Sequence, residues 1–159
     1  MIRIVTESMS DFTQEEAKAA DLIVMPLPIR FGMEEYWDDG VSLTQDDFYA
    51  RLRVAKELPK TSQVPVEHYR KCFNRLLENP EDEVLVITGS SKLSGCYQSA
   101  CIAREACHDP ARVTVLDSLN ATCAEYMLVD QALRYRREGV SDMPVSYTHL
   151  RAHETPEHL

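Results

Sequence analysis

The chain has 159 residues, of which 44% are hydrophobic and 27% charged, and this composition predicts a soluble globular protein with a single core. Its formal net charge of -9, without a stripe of Lys and Arg, disfavours nucleic acid as a partner. No apolar run reaches the roughly 20 residues of a membrane span, and "MIRIVTES" has the pattern of a strand rather than a signal peptide. We therefore expect a cytoplasmic protein with no membrane span.

Apolar strands and capped helices alternate at the start of the chain. Ile2–Val5 predicts a strand, and Thr13 with Glu16 three residues later predicts the capping box of a first helix. Asp21–Phe31 is a second extended segment, because its two prolines exclude a helix.

A polar segment with the pattern of a hairpin or an excursion precedes the next helix. Thr44 and Asp47 begin that helix in the capping manner, and Phe48 and Leu52 are predicted on its inner face. Lys56–Pro65 is then predicted to be a loop. The helix after the loop has an apolar face at helical spacing, formed by Tyr69, Cys72, Phe73, Leu76 and Leu77.

The second half of the chain continues the alternation of strand and helix. "EVLVIT" predicts a strand, and a helix is predicted from about Gly95 to Cys107. Arg112–Asp117 predicts another strand. The last helix has apolar positions at Ala124, Met127, Leu128 and Ala132 and ends at "RREGV", whose glycine suits a helix C-terminus.

Continuously apolar strands that alternate with helices predict an α/β fold, with a parallel sheet covered by helices on both faces. Such sheets bind ligands beyond the carboxyl ends of their strands. Three hydroxyl-rich segments are predicted at such ends: "TESMSD", "TSQ" and "TGSSKLSG".

These segments offer neutral hydrogen-bond donors rather than a recognisable catalytic motif. The phosphate loop, the dinucleotide fingerprint and the nucleophile elbow are all absent, and His68 and His108 are predicted to be solvated. Hydroxyl groups and the N–H groups near Gly95 suit a singly charged group such as a carboxylate, although each hydroxyl alone could simply cap a helix or fill a turn. The candidate donors are Ser8, Thr61, Ser62, Ser90, Ser91 and Ser94.

The five cysteines are an odd number, and no two of them have CxxC spacing. A disulfide framework and a zinc site are therefore disfavoured, and buried, reduced thiols are predicted. Three of the five histidines, His149, His153 and His158, lie near the carboxyl terminus where no fold pattern holds them. We expect neither a metal site nor a cofactor.

Six segments occur in an order and at spacings that are similar to a known family. With "IVTES", "PLPIRF", "DGVSLTQDDFYARL", "LPKTSQVP", "SSKLSGCYQSA" and "VTVLDS", the chain resembles the N-terminal half of the DegV family from Met1 to about Val140. The resemblance implies a DegV-like N-terminal α/β domain over residues 1–142 in a bacterial protein that binds a long-chain fatty acid. It also implies a carrier that presents the carboxylate to the separate catalytic subunit of a fatty-acid kinase.

The resemblance also implies which residues bind the ligand. Thr61 of "TSQ" and Ser94 of "LSG" match the family positions that hydrogen-bond the fatty-acid carboxylate. The adjacent Ser62 and Gly95 are further candidates. Glu7 stands in "IVTES" where the family usually has Asp, one methylene shorter.

Two other functions stay open on the sequence alone. One is a small hydrolase or transferase that uses Ser94 or Cys96 as its nucleophile, since a helix N-terminus can lower the pKa of a thiol. The other is a structural fragment without activity.

The end of the chain departs from the pattern of the rest. Residues 143–159 have no apolar period and resemble translated adaptor DNA, so we expect them to be unstructured or artefactual. In the family a second α/β domain follows, and the ligand lies between the two domains. We therefore expect the chain alone to bind fatty acids weakly and to expose apolar side chains near "PLPIRF" and "TSQVP".

Overall fold

The computed structural model describes residues 1–139, and strands alternate with helices through this part of the chain. The strands are β1 (Ile2–Glu7), β2 (Leu22–Met25), β3 (Pro28–Phe31), β4 (Glu34–Trp37), β5 (Lys60–Thr61), β6 (Glu83–Thr88) and β7 (Val113–Asp117). The helices are α1 (Gln14–Ala19), α2 (Gln45–Val54), α3 (Val66–Leu76), α4 (Cys96–Glu105) and α5 (Cys123–Arg137). Short 3₁₀ turns lie at Ser8–Ser10 and Pro110–Arg112.

The main sheet has four parallel strands in the order β2-β1-β6-β7. In its centre Ile4 is paired with Leu85 and Val5 with Val86. All four of these side chains are buried, as expected for strands that are covered on both faces. The predicted α/β class is confirmed.

Helices cover the two faces of this sheet. On one face α3 and α4 pack through a core that includes Tyr69, Phe73 and Ala100. On the other face α1 and α5 contribute Ala17 and Val129 to a second core. The prediction of helices on both faces is therefore confirmed as well.

A small antiparallel sheet with the order β4-β3-β5 lies beside the main one, and the predicted hairpin is its β3–β4 pair. The sequence predicted Asp21–Phe31 as one extended segment, but it forms two strands in different sheets. The break falls at Pro26, which has no N–H with which to continue the parallel ladder. The predicted loop Lys56–Pro65 is also wrong in part, because β5 lies within it and pairs with β3.

The predicted helix starts are confirmed. Thr13 accepts a hydrogen bond from the Glu16 N–H at 3.2 Å, and the Glu16 carboxylate accepts one from the Thr13 N–H at 2.9 Å. Thr44 accepts a hydrogen bond from the Asp47 N–H at 3.2 Å. Each contact satisfies N–H groups that the first turn of a helix leaves unpaired.

The predicted helix faces are less accurate. No side chain of α2 is buried, and Phe48 and Leu52 are only half-buried, so α2 has a weaker inner face than its pattern indicates. In α5, Met127 is one of the apolar positions that predicted the helix, but it is 66% exposed, whereas Glu125 is fully buried. The buried face of α5 runs through Glu125, Val129, Ala132 and Leu133.

Apolar residues near "PLPIRF" and "TSQVP" were expected to be exposed, and this expectation is correct only in part. Within the two segments Leu27, Ile29 and Val64 are buried. Next to the segments, Met33 is 98% exposed and Leu58 is 80% exposed. The small sheet therefore folds the segments themselves onto the main core, whereas apolar side chains beside them reach the surface.

The cysteines follow the prediction in part. All five are free, and Cys72, Cys96 and Cys107 are buried, whereas Cys101 is half-buried and Cys123 is exposed. Between residues 1 and 139, no helix combines the length and the apolar character needed to cross a bilayer. The expectation for residues 143–159 lies outside the described residues.

Arg112 ties the end of α3 to the start of β6, and its removal should destabilise the fold. Its guanidinium donates to the carbonyls of Leu77, Asn79 and Asp82 at 3.1, 3.0 and 2.9 Å. Arg112→Ala leaves these three carbonyls without their charged hydrogen-bond donor. We therefore expect it to lower the free energy of unfolding by about 2–3 kcal/mol. Urea denaturation measures the change.

Arg134→Ala is the matched control. Arg134 pairs with Asp130 on the surface of α5, and its side chain is 59% exposed. Its loss should cost at most about 0.5 kcal/mol. Equal effects of the two substitutions would contradict the role given to Arg112.

Candidate functional site

The loop after β6 forms a turn that leads into α4. The N–H groups of Leu93 and Ser94 donate to the Ser90 carbonyl at 2.9 and 3.0 Å. The Ser94 hydroxyl accepts a hydrogen bond from the Cys96 N–H at 3.2 Å, and Gly95 occupies the N-cap position. Ser94 and Gly95 therefore lie at the N-terminus of a ten-residue helix, at the carboxyl edge of the parallel sheet.

The "TSQ" segment meets this loop. A Cβ atom placed on Gly95 would lie 3.1 Å from Gln63 Cδ, so the Gln63 side chain packs directly against the glycine. The backbone of Val64 also hydrogen-bonds the Cys96 thiol. The structure thus brings the two predicted binding loops into contact. That Thr61 and Ser94 share one ligand stays a prediction.

The four predicted binding residues differ in exposure. Thr61 and Ser62 are exposed, whereas Ser94 and Gly95 are half-buried. Thr61 is held by the β5–β3 pairing opposite Ile29 rather than by the main sheet, contrary to the expectation that "TSQ" is at the end of a main-sheet strand.

Two other candidate hydroxyls stabilise the backbone. Ser8 Oγ accepts a hydrogen bond from the Leu27 N–H at 3.2 Å, and Ser90 Oγ accepts one from the Lys92 N–H at 3.2 Å. These two serines therefore have the structural role that the sequence left open as an alternative to ligand binding. Ser91 is exposed on the same loop as Ser94.

Glu7 lies beneath the loop at the end of β1 and is fully buried. Its carboxylate accepts hydrogen bonds from the Gly89 N–H at 2.6 Å and from the Tyr69 hydroxyl at 3.3 Å, and the Cys96 thiol also bonds it. Burial raises the pKa of Glu7 to about 7, and these hydrogen bonds limit the rise. Glu7 therefore joins β1, α3, the loop and α4 at one point.

Glu125 of α5 is a second fully buried carboxyl group under the same loop. Its Oε1 accepts a hydrogen bond from the Thr6 hydroxyl at 3.1 Å, while its Oε2 is buried and has no hydrogen-bond partner among residues 1–139. Burial, followed by the charge of Glu7, raises the pKa of Glu125 to about 9. Sequence reasoning missed this residue, although the spacing to Val129 and Ala132 places it on the apolar face of α5.

Among residues 1–139, no three His, Cys, Asp or Glu side chains are grouped so that they could hold a metal ion. His68 packs its ring against Trp37 with the centroids 5.0 Å apart, and it is exposed as the sequence predicted. His108 is exposed as well.

Comparison with known proteins gives the family. The family model described as "Uncharacterised protein, DegV family" matches residues 1–156. The chain belongs to the DegV family. The resemblance found in the sequence motifs is thereby confirmed.

Relatives in the DegV family share about a third of the sequence. A DegV domain-containing protein of Caldanaerobacter subterraneus is 39% identical over 140 residues, which are 88% of this chain and 49% of that protein. A protein of Thermotoga maritima named "Fatty acid-binding protein" is 35% identical over 130 residues, covering 77% of this chain and 42% of that protein. The chain spans about half the length of the relatives it matches.

Solved DegV structures have the same fold. A stearic acid-binding protein from Eubacterium ventriosum matches with a TM-score of 0.86 and 30% identity, covering 96% of this chain and 53% of that one. A DegV family protein from Thermus thermophilus, described by its fatty acid binding, matches with a TM-score of 0.84 and 30% identity, covering 95% of this chain and 52% of that one.

The alternative of a cysteine-dependent enzyme required a reactive thiol at position 96, and the environment of Cys96 contradicts this requirement. Cys96 is fully buried. Burial raises the pKa of its thiol, and the nearby carboxyl group of Glu7 raises it further. Both effects disfavour the thiolate and act against the α4 N-terminus.

Cysteine labelling tests this conclusion directly. We expect iodoacetamide to label the exposed Cys123 at least tenfold faster than Cys96 in the folded protein at pH 7.5, because the thiolate of a buried cysteine is both scarce and inaccessible. Peptide mass spectrometry of a time course gives both rates in one sample. Labelling of Cys96 at the rate of Cys123 would restore the cysteine nucleophile as an alternative.

Proposed function

We propose that this DegV chain binds the carboxylate of a fatty acid between its "TSQ" and "LSG" loops. The hydroxyl groups of Thr61 and Ser94 donate hydrogen bonds to the carboxylate, and Ser62 and Gly95 are adjacent contacts. The observation that carries the proposal is the contact of Gln63 with Gly95, which joins two hydroxyl-bearing loops at the sheet edge. Relatives and solved DegV structures described as fatty-acid-binding support the same ligand.

The chemistry of these loops favours a singly charged anion. Hydroxyl groups are neutral donors, and the N-terminus of α4 adds a partial positive charge. Glu7 lies below the loop, so a second full negative charge on the ligand would be repelled more strongly. A carboxylate therefore fits this site better than a phosphate dianion.

The acyl chain should supply most of the affinity. Burying one CH₂ group is worth about 0.8 kcal/mol, so a long chain of about 15 such groups offers roughly 12 kcal/mol before entropic costs. Charge-assisted hydrogen bonds contribute roughly 1.5–3 kcal/mol each. The hydroxyl groups therefore fix the orientation of the ligand. Since relatives are about twice as long, we expect the 159-residue chain to bind more weakly than a whole DegV protein.

Presentation of the carboxylate to a kinase subunit is the further role that the family resemblance implies. The exposure of Thr61 and Ser62 supports it, because a carboxylate held there stays within reach of a second protein. In this proposal the chain carries the fatty acid and leaves the phosphoryl transfer to its partner.

Substitution of the two hydroxyl groups tests the proposal. We expect Thr61→Val combined with Ser94→Ala to reduce the preference for oleate over oleyl alcohol by at least about 100-fold, since two charge-assisted hydrogen bonds of roughly 1.5–3 kcal/mol each are lost. Calorimetry below the micelle-forming concentration gives both affinities. Ser91→Ala is the control, because Ser91 is exposed on the same loop and is not a proposed contact.

The outcome that would contradict the proposal is a double variant with the wild-type preference for oleate. Native mass spectrometry of the purified protein separates the alternatives further. A bound fatty acid that dissociates on denaturation supports a carrier, whereas an acyl group that stays attached to Ser94 or Cys96 supports a hydrolase or transferase.

A further inference from the structure

Glu7 and Glu125 are two buried carboxyl groups that meet below the proposed carboxylate-binding loop. Both are fully buried, and within residues 1–139 neither forms an ion pair. A Cβ atom placed on Gly89 would lie 3.3 Å from Glu7 Oε1 and 3.1 Å from Glu125 Oε2. One oxygen of each group therefore approaches the same side of Gly89.

Among residues 1–139, the groups around this pair bring no positive charge. Tyr69 reaches it from α3, and burial raises the pKa of that phenol, so the ring is neutral. Cys96 reaches it from α4 as a thiol whose pKa is raised. Asp11, in the turn after β1, adds a further negative charge near Glu125. Two ionised carboxylates in this setting would repel each other without compensation.

The hydrogen bonds indicate which group keeps its proton. Glu7 accepts from the Gly89 N–H, from Tyr69 and from Cys96, as an ionised carboxylate does. The Gly89 contact is 2.6 Å long, shorter than the usual 2.9 Å of an N–H···O bond, and is of the charge-assisted kind. In the described part of the chain Glu125 Oε2 has no donor to accept from, so it is an unfavourable place for a negative charge and a suitable place for a proton.

An apolar side chain packs against Gly89 at the same point. The Cβ position of Gly89 lies 2.7 Å from Met9 Sδ, so the thioether of Met9 is a close neighbour of the glycine that both carboxyl groups approach.

We propose that Glu7 and Glu125 are proton-linked positioning residues: Glu125 is a neutral carboxylic acid at neutral pH, and its proton allows Glu7 to hold Gly89 and the loop that leads to Ser94. The regulatory meaning of this pair rests on the proposed function, because that function gives the loop its role. Loss of the proton at alkaline pH places two negative charges under the loop and loosens it.

The connection from the pair to Ser94 is short. Glu7 holds the N–H of Gly89, and the next residue, Ser90, donates its N–H to the Asn120 carbonyl at 2.7 Å. The Ser90 carbonyl in turn accepts the Ser94 N–H at 3.0 Å. Displacement of Gly89 therefore moves the turn that positions the Ser94 hydroxyl.

The segment that leads to Glu125 is itself strained. Thr122, directly before α5, has φ +54°, which is unfavourable for a β-branched residue, and its N–H donates to the Met9 carbonyl at 3.0 Å. Leu119 has φ +57°. The native fold thus holds this segment in an unfavourable backbone conformation. The segment can relax from that conformation when the contacts below it weaken.

The pH dependence of stability in the ligand-free protein tests the proposal. A carboxyl group that is protonated in the folded state and ionised in the unfolded state makes stability fall as pH rises from the ordinary Glu range to its folded-state pKa. Between pH 7.5 and 8.5 one such proton raises the unfolding equilibrium constant about tenfold. We expect this contribution in the wild type and its loss in Glu125→Gln, which keeps the size and a donor but does not titrate. Buried thiols such as Cys96 add their own pH dependence equally in both proteins.

Glu83→Gln is the control, because Glu83 is exposed at the opposite end of β6, and it should keep the wild-type slope. Equal slopes in the wild type and Glu125→Gln would overturn the proposal. Carbon-13 NMR of labelled Glu side chains gives a second test that needs no variant. A Glu125 carboxyl signal at the protonated position at pH 7.5 supports the proposal, and a carboxylate signal there overturns it.

Hydrogen exchange tests the positioning role separately. Corrected for its intrinsic pH dependence, the exchange of the amides from Gly89 to Ser94 should rise at least tenfold between pH 7 and pH 9.5 in the wild type and stay nearly constant in Glu125→Gln. A loop that exchanges equally in both proteins would overturn the positioning role. These measurements use no ligand, so a failure to bind fatty acid would count against the proposed function alone.

Discussion

The parallel pairing of β1 with β6 is the contact on which the rest of the structure depends. It places the carboxyl ends of the two central strands side by side, with Val5 opposite Val86. Two residues beyond Val5 and three beyond Val86, the Glu7 carboxylate and the N–H of Gly89 come within hydrogen-bonding distance at 2.6 Å. Everything at the candidate site, from the buried carboxyl groups to the turn before α4, is arranged around this junction.

The junction combines two environments of opposite character. Below the loop, side chains are fully buried and the low polarity disfavours charge. Above it, Thr61 and Ser62 are exposed to solvent. Backbone groups of the loop connect the two, so the state of a buried carboxyl group can affect the position of a hydroxyl group near the surface. The length of the Glu7 side chain lets its carboxylate reach Gly89, Tyr69 and Cys96.

Strong local patterns predicted most of the fold. The continuous apolar run of β6 and the capping residues Thr13 and Thr44 each have a signal within a few neighbouring residues, and each was confirmed. β5 could not be predicted, because a strand of two exposed residues has no period and owes its existence to its pairing with β3. Met127 was misplaced because apolar residues also occur on exposed helix faces.

The candidate site was predictable only in part: its loops could be located from the sequence, but its buried carboxyl group at position 125 could not. The hydroxyl-rich loops were located from the end of a strand and the start of a helix, and the contact of Gln63 with Gly95 shows that two of them are neighbours. Glu125 was missed because a charged residue is normally assigned to the surface. Its burial becomes evident only when α5 is packed against β1 and the turn after it, which brings together residues more than 110 positions apart.

The separation of β1 from β6 along the chain also determines the order in which the molecule can fold. The Met1 amino group hydrogen-bonds the carbonyl of Glu81, 80 residues away, so β1 cannot pair with its second neighbour, β6, until a long stretch of chain has been made. Closing a loop of this length costs entropy before any contact compensates for it, and such long-range pairing makes folding slow. The hairpin of β3 and β4, by contrast, can form from residues that are adjacent in sequence. On the ribosome, β1 must therefore stay unpaired on the side of β6 until residue 88 has emerged, and its apolar edge is available to chaperones, or to other nascent chains, throughout that interval.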